Sequence, residues 1–280
     1  MKIHPKTNEY LEGIEAMSQY IEQEKGIEIQ YFAKSKDELV DFEAEKPIRG
    51  LMERFPNLEE ITVHPPLAYY DIELLLYRKK DLLYSELQQL IDLSNEYGIK
   101  INIIYHTLST IQSHRLTTLE DIKEIGNFLK GTKVTILLEN LFMMNEKNTC
   151  TVLDLCEEVD SPNIRACIDI CHIYCQATTW HTPIKEFIKG YLNKEKCQKY
   201  VAHIHFSETK NDDGYLDRKT HGRSHDTIEK LFEDADILRE YGMTSEDINW
   251  VTEVSEEDYK LRPDQISELE GLSKYREKLA

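Results

Sequence analysis

The fold is decided by residues 71–106, DIELLLYRKKDLLYSELQQLIDLSNEYGIKINIIYH, in which two apolar periodicities follow one another. Over residues 71–97, leucine and isoleucine recur at three- and four-residue steps among Lys, Glu and Gln, which predicts an amphipathic helix. Gly98 ends this helix, because glycine readily adopts the left-handed backbone found at helix C-termini. The β-branched run at 101–106 follows at once and predicts a buried strand.

The same alternation of strand-like and helix-like segments repeats along the chain. Strands are predicted at residues 1–4, 26–31, 61–64, 101–106, 134–139, 165–169, 201–206 and 249–254. Two further helices are predicted, one opened by the capping box at 117–120 and closed by Gly131, and one over residues 224–241. From residue 64 to residue 253 the strand ends recur about every 38 residues, which suits a strand, loop and helix unit.

Eight strands separated by helices predict an α/β fold, a single (β/α)8 TIM barrel over residues 1–280. A doubly wound open sheet is the alternative. Such a sheet usually carries a Gly-rich phosphate loop after its first strand, and the sequence shows none there. Residues 255–280, rich in Glu, Lys and Arg, predict a C-terminal helical tail packed on the barrel.

Composition and charge limit the kinds of partner. Fifty-two acidic and 34 basic residues give a net charge of −18, which disfavours non-specific adhesion to nucleic acid or anionic membrane as the main task. No stretch approaches the roughly 18 apolar residues of a membrane span, and residues 1–6 lack a signal-like apolar run. Six cysteines without an export signal favour free thiols. We therefore expect a cytoplasmic protein with no membrane contact and no obligate protein partner.

The predicted strands end in residue types that bind metal ions. In a barrel, active sites lie where the strands end at the C-terminal face. Six successive strands end in three histidines and three carboxylates, namely His64, His106, Glu139, Asp169, His205 and Glu253. Strands disfavour Asp and Glu, and buried carboxylates require partners, so packing or helix capping is a poor explanation for all six. These nitrogen and oxygen donors suit zinc, manganese or iron.

Two other histidines lie beside this set. His203 shares a strand face with His205, so it is either a partner of the ligands or a packing residue inside the barrel. His172 follows Asp169 by three residues and could join the same cluster. Three cysteines near Asp169 are expected to pack in the core instead: Cys167, Cys171 and Cys175.

A seven-residue segment and five shorter motifs carry a family resemblance. The segment is ACIDICH (166–172), and the motifs are VHPP (63–66), YH (105–106), LEN (138–140), HFSETK (205–210) and TE (252–253). In this order they resemble the metal motifs of endonuclease IV, the zinc-dependent apurinic/apyrimidinic endonuclease of the xylose isomerase-like barrel superfamily. The resemblance covers nearly the whole chain.

The resemblance implies a set of ligands for two or three zinc ions per chain. One ion would be held by His64, His106 and Glu139. A second would be held by Glu139, Asp169, His205 and Glu253, so that Glu139 bridges the two. A third would take His172 and His221 with Asp217. Glu139, Asp169 and Glu253 would serve as the catalytic carboxylates, and Arg218, Arg223 and His203 would contact the substrate.

The activity implied by this resemblance is phosphodiester hydrolysis by metal-activated water, at an abasic site in damaged DNA or in a related phosphoester. The metal motifs match the family better than the loops that read DNA. Thr107-Leu108-Ser109 stands where the family has Pro-Gly-Ser, and His221 lies two residues further from Asp217 than expected.

The alternative is a sugar or sugar-phosphate isomerase or epimerase of the same superfamily. There, one Mn²⁺ or Co²⁺ would be held by Glu139, Asp169, His205 and Glu253, and a small sugar would be the substrate. Glu139 and Glu253 would exchange a proton on carbon. A barrel that binds metal without catalysing a reaction is the third hypothesis.

Overall fold

A computed structural model describes residues 1–8, 11–31, 44–65, 72–107, 112–140, 151–208, 222–254 and 262–280. The strands are β1 (Lys2–His4), β2 (Lys6–Asn8), β3 (Gly26–Gln30), β4 (Glu60–His64), β5 (Lys100–His106), β6 (Val134–Glu139), β7 (Ile164–Asp169), β8 (Val201–Phe206) and β9 (Asn249–Thr252). The helices are α1 (Leu11–Ala16), α2 (Ser18–Glu24), α3 (Glu45–Arg54), α4 (Ile72–Tyr97), α5 (Gln112–Phe128), α6 (Thr151–Val159), α7 (Ile170–Thr179), α8 (Ile184–Tyr191), α9 (Lys194–Tyr200), α10 (Ile228–Glu240) and α11 (Pro263–Leu279).

The strands form one parallel sheet that nearly closes on itself. Their order is β1-β9-β8-β7-β6-β5-β4-β3-β2. The two outermost strands, β1 and β2, are consecutive in the chain and separated only by Pro5, so the sheet's two edges meet. Proline has no amide hydrogen for a ladder, but the Pro5 carbonyl accepts a hydrogen bond from the Glu28 amide at 2.9 Å. The predicted TIM barrel is confirmed, with the first strand divided between two neighbours.

The boundaries of the longest predicted helix are close to those observed, whereas two other helix starts were wrong. The longest predicted helix spans Ile72–Tyr97, with a break in the helical backbone at Lys79 (φ −146°, ψ 41°), and Gly98 follows with a φ of +72°. Helix α5 begins at Gln112, ahead of the capping box, because a Thr-x-x-Glu pattern can also lie inside a helix. Helix α10 begins at Ile228, four residues after its predicted start, and Thr227 is its N-cap.

Strand alternation separates an apolar outer face of the sheet from its interior. Ile103 and Leu138 belong to the main core. Their neighbours Ile104 and Leu137 instead contact Cys167 and Ala202 in a separate apolar cluster. Because successive side chains on a strand point to opposite faces, the second cluster lies inside the barrel.

Polar residues fill the barrel interior toward the N-terminal ends of the strands. Glu60 at the start of β4 accepts hydrogen bonds of 2.6 Å from both Asn102 and Asn249. Its carboxylate is also paired with Lys100 at 3.0 Å and Lys2 at 3.2 Å. This buried charge is therefore fully partnered, as burial in a low-dielectric interior requires.

The C-terminal helix α11 packs against α10, β1 and β9. His225 links it to the barrel, with Nδ1 lying 3.0 Å from Glu268 Oε2 and Nε2 lying 3.2 Å from Asp234 Oδ2. The imidazole also stacks on Phe206. Burial alone would lower the pKa of His225, but the hydrogen bonds to the two carboxylates outweigh it and raise the pKa to about 9. In the described part of the chain, none of the helices combines the length and apolarity that a bilayer span needs.

Candidate metal centre

The six predicted strand-end residues meet at one face of the barrel. His64, His106, Glu139, Asp169 and His205 lie in the last or next-to-last positions of β4 to β8, and Glu253 directly follows β9. Parallel strands bring their C-terminal ends to the same side, so residues far apart in the chain become neighbours. The side chains of His106 and Glu253 are 16% and 17% exposed, whereas the other four are buried.

One group of donors consists of His64, His106 and Glu139, whose ligand atoms lie within 4.8 Å of one another. His106 Nε2 is 2.7 Å from Glu139 Oε2, and His64 Nε2 is 3.8 Å from the same oxygen. Burial, together with the charge of Lys6, lowers the pKa of His64 to about 3. His64 is therefore neutral near pH 7, which is the form of imidazole that can bind a metal ion.

A second group contains Glu139, Asp169, His205 and Glu253, again with ligand atoms within 4.8 Å of one another. His205 Nδ1 lies 2.6 Å from Glu139 Oε1 and 2.7 Å from Glu253 Oε2. Glu139 belongs to both groups. One of its oxygens faces His64 and His106 and the other faces His205, which is the arrangement of a bridging carboxylate.

The electrostatics of the second group fit a divalent cation. Three carboxylates this close would repel one another strongly. Burial would raise the pKa of Glu139 and of Glu253, but the charge of His205 holds both well below their usual range, with help from Lys6 at Glu253. Against the effect of burial, Cys167 and the carboxylates of Glu253, Glu28 and Glu139 raise the pKa of His205. A dication would supply the positive charge that a proton on His205 supplies here.

Asp169 and His172 are held by the start of α7. Asp169 is the N-cap of this helix, and its Oδ1 accepts a hydrogen bond from the His172 amide at 3.0 Å. The His172 ring lies 6.4 Å from the His106 ring, and its Nδ1 is 2.7 Å from the Asn140 carbonyl oxygen. His172 thus lies beside the first group of donors.

Five other residues were predicted to bind a metal ion or the substrate. Asp217, Arg218 and His221 lie outside the described residues. Arg223 is half-buried, and its backbone exchanges two hydrogen bonds of 2.8 Å with Glu208. His203 is fully buried, with Nε2 2.8 Å from Glu28 Oε2, a position that favours the partner role over contact with a substrate.

Two charged residues of the centre, Lys6 and Glu28, were not predicted from the sequence. Lys6 Nζ lies 2.7 Å from Glu28 Oε1 and 2.6 Å from Glu253 Oε1, and both Lys6 and Glu28 are buried. The sequence signal for Glu28 was its position as a lone carboxylate inside the apolar run at 26–30. The pattern of ligand types at strand ends begins at residue 64, and neither Lys6 nor Glu28 ends its strand.

Comparisons with known proteins agree with this fold. A family model described as xylose isomerase-like TIM barrel matches residues 21–243. A probable endonuclease 4 of Mycoplasmopsis pulmonis (strain UAB CTIP) is 26% identical over 200 residues, which span 68% of each chain. The crystal structure of a D-tagatose 3-epimerase-like protein aligns over 100% of both chains, with a TM-score of 0.60 and 21% identity.

The crystal structure of endonuclease IV from Thermus thermophilus aligns over 99% of this chain and 100% of that one. Its TM-score is 0.62 at 14% identity. At such identities the two structural matches show the fold alone. They show that proteins named for two different reactions share this barrel.

Proposed function

The chain belongs to the xylose isomerase-like TIM barrel family, and we propose that it is a divalent-metal-dependent phosphodiester hydrolase that holds two or three ions, with zinc as the expected metal. The observation that carries the proposal is the pair of donor groups that share Glu139. An enzyme with one metal ion needs only the group around His205. The additional group, His64 and His106 with Glu139, fits a second ion, and two ions can clamp both sides of a phosphoryl group.

The residues of the centre would have different roles. His64, His106, Glu139, Asp169, His205 and Glu253 would hold the ions. When bound, the ions would supply Lewis-acid stabilisation and a water molecule of lowered pKa. Glu139 would set the spacing between the two groups, since its two oxygens face different histidines. Asp169 is kept in place by the His172 amide, and Lys6 adds a fixed positive charge beside Glu253.

We further propose that the substrate is a phosphoester, with an abasic site in damaged DNA as the first candidate. The likeness to a probable endonuclease 4 supports this choice. His106 and Glu253 are the most exposed members of the centre, so a substrate would approach from their side. Arg218 and Arg223 would contact it. The net charge of −18 restricts how much DNA the remaining surface can hold.

A second candidate function is a sugar or sugar-phosphate isomerase or epimerase with one Mn²⁺ or Co²⁺. The specific observation in its favour is the group of Glu139, Asp169, His205 and Glu253, which by itself offers four ligands. Glu139 and Glu253 lie at almost equal distances from His205 Nδ1, so two carboxylates are available to exchange a proton on the carbon of a small sugar.

Metal content and turnover, measured on the same preparation, separate these functions. We expect elemental analysis to find two or three zinc ions per chain, and the protein to nick a duplex that contains one abasic site. One manganese ion, no nicking and incorporation of solvent deuterium into a ketose would overturn the hydrolase and support the isomerase. Bound metal with neither reaction would indicate a barrel without chemistry.

A further inference from the structure

We propose that Glu28 and Lys6 are a positioning pair: Glu28 accepts a hydrogen bond from His205 Nε2, which leaves His205 Nδ1 as the metal-binding atom, and Lys6 holds Glu28. The inference rests on the metal centre of the proposed function but not on which reaction the centre catalyses.

The two ring nitrogens of His205 face different carboxylates. Nδ1 lies 2.6 Å from Glu139 and 2.7 Å from Glu253, which are both members of the second donor group. Nε2 lies on the other side of the ring, 3.0 Å from Glu28 Oε2. A neutral imidazole has one N–H and one lone pair, so the nitrogen that binds the metal determines where the proton stays. Glu28 is placed to accept that proton's hydrogen bond and thereby to fix the tautomer.

The contacts of Glu28 are those of an orienting carboxylate. Its Oε2 faces both His203 Nε2, at 2.8 Å, and His205 Nε2. Its Oε1 is paired with Lys6 Nζ at 2.7 Å. The side chain is fully buried, so rotating it toward an ion would leave His203 and the Lys6 charge poorly compensated inside the barrel. Direct ligation is a distinct outcome of the test, because Glu28 also lies within 4.8 Å of the donor atoms of His64 and His205.

Lys6 connects this carboxylate to the donor group. Its Nζ lies between Glu28 Oε1 and Glu253 Oε1, at 2.7 and 2.6 Å. Glu253 therefore has one oxygen on Lys6 and the other facing His205 Nδ1. The buried ammonium group neutralises part of the carboxylate charge and restrains Glu28 and Glu253 relative to each other. Lys6 reaches both carboxylates because β2 pairs with β3, the strand of Glu28, and directly follows β1, which pairs with β9 next to Glu253.

The test is zinc affinity, measured by competition with a chelator, for the full chain and its Glu28→Gln variant. Glutamine keeps the size of the side chain but removes its charge. We expect a loss of about 10- to 100-fold in affinity with the same number of ions at saturation, which is the usual effect of losing an orienting partner. Glu60→Gln is the matched control, because Glu60 is also a buried and multiply paired carboxylate of the barrel interior. Its zinc affinity is expected to stay at the wild-type value.

Three results of this test would overturn the inference. Unchanged zinc affinity in Glu28→Gln would show that Glu28 does not position His205, and the loss of one bound ion per chain would show that Glu28 is itself a ligand. An equal loss of zinc affinity in Glu60→Gln would show that both variants weaken binding by destabilising the barrel in general, and it would also overturn the inference.

A measurement on the zinc-loaded wild-type chain does not depend on the variant folding. Histidine ¹H–¹⁵N spectra should show His205 with its proton on Nε2, and a proton on Nδ1 would overturn the proposal. The two proposals fail differently. A chain that binds zinc with the expected tautomer but cleaves no phosphodiester contradicts only the proposed reaction, whereas a chain that binds no metal contradicts both.

Discussion

His205 Nδ1 lies 2.6 Å from Glu139 Oε1, although β7 separates their strands and 66 positions separate them in the chain. The contact passes over β7 at the C-terminal end of the sheet and joins the two groups of donors. Glu139 can take part in both because its second oxygen faces His106 at 2.7 Å. Removing either neighbour of Glu139 should therefore affect a different part of the centre.

The variant His106→Ala separates the two candidate reactions. If the centre holds two or more ions, the variant should lose one ion per chain, and kcat/KM for an abasic-site duplex should fall by about 100-fold or more, at least as much as losing an outer partner costs. An isomerase that uses only the group around His205 would keep most of its activity. His181→Ala, which removes an exposed histidine after α7, is the control. Full phosphodiesterase activity in His106→Ala would refute our assignment of the first group. The variant Glu139→Gln, by contrast, should abolish either reaction, because Glu139 belongs to both groups of donors.

The variant Lys6→Met tests the fixed cation. Without Lys6, Glu28 and Glu253 lose their shared partner, and breaking a buried ion pair typically costs about 3–5 kcal/mol. We expect the melting temperature of the metal-free protein to fall, and added zinc to raise it by more than it does in the wild type, because a dication compensates the same carboxylates.

Lys2→Met is the matched control, since Lys2 pairs with buried Glu60 but its own side chain is 49% exposed. Because water screens the exposed Lys2 ammonium and Lys100 also pairs with Glu60, losing Lys2 should cost less than losing Lys6, closer to the roughly 0–1 kcal/mol of a surface pair. If Lys6→Met melts at the wild-type temperature without metal, the ion pairs of Lys6 are not stabilising the centre.

Stability should depend on pH through His225, whose pKa is raised from its ordinary value of 6.5 to about 9 by Asp234 and Glu268. A raised pKa in the folded state means that the charged imidazole stabilises the fold fully below pH 6.5. This stabilisation is lost as the pH rises to about 9, and its size is on the order of 3 kcal/mol. Urea unfolding of the metal-free wild type and of His225→Gln at several pH values measures it.

The difference in unfolding free energy between these two proteins should shrink from pH 6.5 to pH 9. The comparison removes contributions from other titrating groups that both proteins share. A difference that stays constant over this range would contradict the raised pKa of His225.

Gly26 is required because the ring of His4 occupies the space beside it. A Cβ added at Gly26 would overlap His4 Nε2, and His4 is buried. Gly26→Ala should destabilise the fold by about 1–3 kcal/mol, the usual cost of overpacking. Gly50→Ala is the control, because in the described part of the chain no atom beyond the adjoining backbone of α3 lies within 4 Å of the added Cβ. Equal unfolding free energies for the two variants would contradict the close approach of His4.

The barrel was largely predictable because its signals are local. The apolar periodicity and Gly98 predicted the helix at 71–97 and the strand after it, and the structure places them at Ile72–Tyr97 and Lys100–His106. The predicted start of α10 was wrong, because Arg223 pairs with the backbone of Glu208 and the helix begins only after Thr227, whose side chain caps it. The apolar periodicity of a single helix does not reveal pairing between segments that are distant in the chain.

The sequence by itself determined the barrel and the set of strand-end histidines and carboxylates. Both follow from the period of side chains along a strand and from the parallel order of strands, which sends every strand end to one face. The tertiary structure alone decided that Glu139 faces both donor groups and that Lys6 and Glu28 reach His205 and Glu253. These contacts exist only when the barrel closes and β2 pairs with β3, and a buried charge gains its partners from strands that are distant in the chain.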